Sequence, residues 1–176
     1  MIKFFRHGAQ QNPVTKWVVP GSIFVIALMF VSARSAAAQS QIDYFKGAWT
    51  ITLKGSENLN LEWLVVNDTK GPGLLGEVRT NGVKTSTDHW QIVGKKIFRV
   101  TMMTSGLVVE METSGWKGDV LIFTGTASDA GNEFKVRETI TKLSGNEFHA
   151  LWERQEKSRK WNVFSEETCK RTLVKR

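Results

Sequence analysis

Four polar side chains in the C-terminal third carry most of the chemistry this sequence offers. Glu138 lies between Val136 and Ile140 in FKVRETITKL, Arg154 follows Trp152 by two positions, and Ser165 and Glu167 continue the row begun by Val163. Alternate residues of a strand share one face, so each of these groups stands in a row that is otherwise apolar. With Leu143 paired to Glu147 across the LSGN turn, Glu138 falls opposite Trp152 and diagonal to Arg154, within reach of a long side chain. A buried charge without a partner costs too much to keep. Arg154 therefore either anchors the acidic head group of an amphiphile or is neutralised by Glu138 in the empty protein. The plainer alternatives are a structural ion pair or a position at a wet mouth.

Catalysis asks for more than these residues supply. Glu138 and Glu167 form an acid/base pair only in principle, with neither a nucleophile nor a metal beside them. His89 alternates with the row of Trp90 and Ile92, and His149 with the row of Phe148 and Ala150, so both are expected to face solvent, which removes the obvious general base. No His, Cys, Asp and Glu cluster has zinc-ligand spacing. A haem variant would need an inward histidine at a strand end and rests on His89 or His149. An enzyme is the weaker reading, and no cofactor is expected. GPGLLG, Gly71 to Gly76, matches the letters of a dinucleotide fingerprint, but EVRTNG follows it, a short strand and turn where the phosphate would need a helix N-terminus. Asn67 in NDT is a glycosylation acceptor only on a eukaryotic secretory route. The alternating aromatics are core residues with the basic residues on the opposite face, unlike the interleaved stacking platform of a single-strand binder, so no nucleic-acid partner is expected.

The elements that must hold these residues are legible from punctuation. Turn-like clusters fall at KGSEN, NDTKGPG, TNG, VGKK, TSG, SGWKG, SDAGN, LSGN and EKSRK. These nine breaks leave ten short segments rich in valine, isoleucine, threonine and aromatics, with no sustained helical period beyond one turn near SQIDYF. The chain is predicted to be all-β, an antiparallel up-and-down meander of about ten strands closed into a barrel, because a flat meander would leave two open edges. Alternation assigns the inner face: Phe45, Trp49, Ile51 and Leu53; Leu59, Leu61, Trp63 and Val65; Trp90 and Ile92; Phe98, Val100 and Met102; Leu107, Val109 and Met111. Phe134, Val136 and Ile140, then Phe148, Ala150 and Trp152, then Trp161 and Val163 complete it, while DVLIFTGT is apolar on both faces and stays unassigned.

The N-terminus predicts a compartment. Asp43 is the first acidic residue; before it stand Lys3, Arg6 and Lys16, an apolar run from Trp17 to Ala33, and RSAAAQS. Basic head, apolar middle and small-residue tail make a secretory signal over residues 1–38, with Ala36 and Ala38 before a cut at Gln39. A retained anchor is the rival, since the run is close to the minimum of about 17 residues for a spanning helix. Against it, Pro20, Gly21 and Ser22 interrupt the first turns and Arg34 lies on the disfavoured side. The chain has 24 basic and 17 acidic residues, net +7; Lys3, Arg6, Lys16 and Arg34 leave with the signal, so 20 minus 17 leaves +3 for residues 39–176. The basic stretches that remain, ERQEKSRKW and CKRTLVKR, read as a solvated hairpin tip and a frayed end. Cys169 is the single cysteine, so no internal disulfide is available and the core must hold the fold unaided.

FKGAW at residues 45–49 resembles the G-x-W signature that opens the first strand of lipocalins. With LEWLVV, a Gly-rich break, GWKGDVLIFTG, FKVRETITKL and a tryptophan near the start of the last strand, the layout over about residues 41–172 is similar to lipocalin-like, calycin-type bacterial envelope domains. The resemblance implies that a short helical turn crosses one barrel end, that the tryptophan plugs it, and that a lumen binds a ligand. Lipocalins proper usually have eight strands, a late helix and disulfides; this chain shows neither the helix signal nor the cysteine pairs, and ten strands leave a wider lumen than eight. The expectation is a periplasmic or secreted barrel binding a small apolar or amphiphilic molecule against Trp63, Trp90, Met102, Glu138, Trp152, Arg154 and Ser165, without stable membrane insertion after cleavage. The alternative is a non-catalytic envelope assembly or interaction module whose barrel is filled. Under the anchor reading, Arg154→Leu abolishes binding of acidic amphiphiles in a calorimetric titration, and an unchanged affinity would end that reading.

Overall fold

A computed structural model describes residues 41–56 and 58–172; the segment 1–38 read as a leader lies outside the described residues. A 3-10 turn, Asp43–Phe45, precedes ten strands: β1 Gly47–Leu53, β2 Leu61–Asn67, β3 Gly73–Thr80, β4 Val83–Val93, β5 Lys96–Met103, β6 Val108–Thr113, β7 Val120–Asp129, β8 Asn132–Ser144, β9 Glu147–Gln155 and β10 Trp161–Arg171. Each pairs antiparallel with its sequence neighbours, and β1 pairs with β10 to close the barrel. Closure leaves no strand edge open to another chain. The breaks seen in the sequence are the hairpin connections, and GPGLLG runs from a loop into β3 with no helix after it.

The end from which β1 starts is plugged. The 3-10 turn lays Ile42 and Phe45 across it, both fully buried, and Phe45 meets Trp63, Trp90, Trp116 and Phe148 at ring distances of 5.0 to 5.9 Å. The Trp49 indole N–H donates to the Phe45 carbonyl at 2.7 Å, and that of Trp116 to the Gln41 carbonyl at 2.7 Å. Buried indoles usually find such partners. The outer side of this end is clamped by Arg171, whose guanidinium lies 4.2 Å from the Trp49 ring and donates to the carbonyls of Tyr44, at 2.7 Å, and Lys46. Gly47 fits here for two reasons: its φ of +112° suits glycine alone, and a Cβ would lie 2.9 Å from the arginine.

Most inner rows follow the predicted alternation, from Trp49 and Ile51 on β1 to Phe148 and Ala150 on β9. The structure corrects three assignments and supplies a fourth. On β5 the faces are exchanged: Met102 is 50% and Phe98 37% exposed, while Ile97, Arg99 and Thr101 point inward. The cause is the two-residue connection Gly94–Lys95, which pairs Val93 with Lys96 and hence Ile92 with Ile97 and Trp90 with Arg99; directly opposed residues share a face. On β10 a bulge between Val163 and Ser165 shifts the period by one, so Val163 and Trp161 face outward, where the Arg137 guanidinium stacks 4.7 Å from the Trp161 ring. Leu59 lies in the β1–β2 connection and is exposed. In DVLIFTGT, Leu121 and Phe123 point inward and Ile122 outward. Trp49→Ala is expected to cost about 3–5 kcal/mol of stability in urea denaturation, and Trp161→Ala, outside the barrel, about 1 kcal/mol or less.

Candidate functional site: the charged floor of the lumen

Above the aromatic plug the barrel is open, with a cavity of about 540 Å³. Its walls are apolar, including Ile51, Leu61, Val78, Leu107 and Phe134, and its floor holds Asp88, Arg99, Glu138 and Glu167. Four strands deliver these charges: β4, β5, β8 and β10. At the mouth β8 and β9 pair only as far as Val136 and Arg154, and Phe134 on β8, Arg154 on β9 and Phe164 on β10 line the cavity there.

Arg99 is the centre of the floor. Its Nη1 donates to Glu138 Oε2 at 2.6 Å, and its Nε and Nη2 donate to the Asp88 carboxylate at 3.2 to 3.3 Å. Thr101 Oγ1 donates to Asp88 Oδ1 at 2.5 Å. The guanidinium carbon lies 5.0, 5.6 and 5.9 Å from the ring centroids of Trp90, Trp152 and Trp63, within cation–π range. Burial works against the Arg99 charge, but Asp88 and Glu138 overcome it and hold its pKa above the ordinary value. Burial pushes the Glu138 carboxyl up to about 7; Arg99 opposes the rise, and the charges of Glu167 and Asp88 assist it. Glu167 is also raised by burial, against Arg99 and the Ser165 hydroxyl, which donates to it at 3.3 Å.

The indole nitrogens of Trp63 and Trp90 are buried with no hydrogen-bond partner. That of Trp63 reaches across Gly76 toward Asp88: a Cβ on Gly76 would lie 2.6 Å from the nitrogen and 3.1 Å from the Asp88 Cβ. Only the smallest residue permits this approach.

The residues picked from sequence are distributed as follows. Trp63, Glu138, Trp152 and Ser165 line the cavity, and Trp90 lies beneath Arg99. Glu138 stands opposite Trp152 as expected, although at the LSGN turn Ser144 and not Leu143 pairs with Glu147, with an irregularity between Lys142 and Ser144. Arg154 reaches the cavity mouth, exposed, with its guanidinium 4.0 Å from the Phe134 ring, and the cation that neutralises Glu138 is Arg99. Met102 is on the outer surface, the consequence of the exchanged faces of β5. Sequence reasoning missed Arg99, Asp88 and Thr101; carrying the VGKK hairpin register across from the inward Trp90 would have found all three. His89 pairs outside with Asp68 at 2.9 Å and His149 with Glu166 at 3.2 Å, so a haem would find neither as an inward ligand. Among the described residues no group of three or more His, Cys, Asp or Glu side chains is arranged to hold a metal ion.

These features define a closed ten-stranded antiparallel barrel, plugged at one end and hollow at the other, compatible with a lipocalin-like fold. No protein-family description and no curated protein matches the chain.

The Glu138 pKa links the site to stability. Its folded value of about 7 exceeds the ordinary 4.5, so the folded protein keeps a proton that the unfolded chain releases. The contribution is fully present below about 4.5 and is lost as pH rises through 7, by up to about 3 kcal/mol. Asp68, Glu77 and Glu166, held low by hydrogen bonds to their partners, act with the opposite sign and below that window. The urea midpoint should therefore fall between about pH 5 and pH 8, and Glu138→Gln should flatten the slope. A wild-type midpoint that rises over this range would contradict the buried carboxyl.

Proposed function

We propose that this protein is an exported, lipocalin-like binding protein of the calycin type that takes a small apolar or amphiphilic molecule into its lumen, in a periplasm or outside the cell. The observation that carries the reading is the cavity of about 540 Å³ with apolar walls and a few convergent polar groups at its floor, the size and make-up of a small-molecule site. The basic head, apolar run and small-residue tail of residues 1–38 support the compartment. No helix among the described residues is long and apolar enough to cross a membrane.

The second reading, an envelope interaction module with a solid interior, draws on the packed half of the barrel, where Trp63 and Trp90 lie 6.2 Å apart. It expects the lumen to be inert. A neutral fluorescent apolar probe, N-phenyl-1-naphthylamine, separates the two. The binding reading expects saturable enhancement with the wild type. Ala127→Phe, which fills the lumen from β7, should weaken the probe by about tenfold or more. Absence of saturable binding by the wild type favours the module. Native mass spectrometry of protein from its own host would then show whether a small molecule co-purifies.

A further inference from the structure

The floor of the lumen is unbalanced in charge. Asp88, Glu138 and Glu167 converge there on one cation, Arg99, and the only other cation on the cavity wall among the described residues, Arg154, is at the mouth. Arg99 is already engaged by Asp88 and Glu138, so an acidic head group would have to displace a carboxylate to reach it while facing three of them in a poorly solvated space. Like charges at such range repel strongly. Glu167 has unspent capacity: a carboxylate accepts about four hydrogen bonds, and the Ser165 hydroxyl supplies one. The Trp152 and Trp63 rings, which face the same space, attract cations.

We propose that the lumen selects amphiphiles carrying a protonated amine, the ammonium seated against Glu167 and Glu138 beside Trp152, with the apolar tail running along Val78, Leu107 and Phe134 to the mouth. This rests on the lumen-binding reading and adds the chemistry of the head group. Burial and the neighbouring carboxylates push the Glu138 carboxyl up to about 7, so it is partly protonated near neutrality, and an arriving ammonium favours the carboxylate form. Asp88 on β4, Arg99 on β5, and Glu167 and Cys169 on β10 are the titratable groups facing Glu138 across the floor, with Arg154 on β9 at the rim. Affinity for the amine therefore rises with pH between about 6 and 8.

The test is calorimetric titration of the purified protein with decylamine, decanol and decanoate at about pH 8, repeated at about pH 6. A desolvated charge-assisted contact predicts that decylamine binds about tenfold or more tightly than decanol, and decanoate more weakly than decanol. The amine-to-alcohol ratio should shrink at the lower pH. Glu167→Gln should reduce that ratio to about threefold or less, and the wild-type series decides the matter even if this variant does not fold. Equal binding of decylamine and decanol, or tightest binding of decanoate, overturns the amine assignment and leaves the lumen-binding reading standing. Failure of all three to bind removes both.

Discussion

Arg99 stands at the boundary between the filled and the hollow halves of the barrel, and the need to compensate its buried charge organises both. A guanidinium removed from water is tolerated only when its donors are satisfied and its charge is matched. Glu138 reaches it from across the barrel, Asp88 from the neighbouring strand, and three indoles supply their faces. The arrangement over-compensates. Two carboxylates serve the arginine directly, and a third, Glu167, adds negative potential that raises the proton affinity of Glu138. That surplus is the basis of the proposed preference for a cationic guest.

The plug is the counterpart of that floor. A ten-stranded barrel encloses more space than small side chains fill, and the N-terminal turn fills one end with Ile42, Phe45 and the indole of Trp49. The rings continue upward through Trp90 and Trp63 to the underside of Arg99. Packing and charge therefore meet in a single layer. Below it the barrel behaves as an ordinary hydrophobic core; above it, as a cavity with a polar base.

Several features of this arrangement were legible in the sequence because they depend on local chemistry. The nine turn clusters delimit the strands, since glycine, asparagine and lysine-rich breaks punctuate a pleated chain whatever it packs against. Glu138 stands opposite Trp152 as the sequence suggested, but the hairpin closes with Ser144 opposite Glu147 and a bulge at Leu143, in place of the Leu143–Glu147 pair. Alternation failed where it was ambiguous or interrupted. KIFRVTMM is apolar on both faces, so Phe98, Val100 and Met102 competed with Ile97 and an arginine for the inner row, and hydrophobicity alone chose against Arg99. At WNVFSEE a bulge at Phe164 moved Trp161 and Val163 outward while leaving Ser165 and Glu167 within.

What the sequence determined by itself is the meander and its turns, because turn preference and period-two patterning act between residues close along the chain; the aromatic plug was implied by the resemblance of FKGAW to the G-x-W signature. What only the tertiary structure decided is the identity of the charged floor. Asp88, Arg99, Glu138 and Glu167 come from four strands, and the pair Arg99 and Glu138 is separated by 39 positions. Whether such residues meet depends on barrel closure and on hairpin registers accumulated from one strand to the next, and a one-residue slip at any of them turns a side chain from the lumen to the solvent.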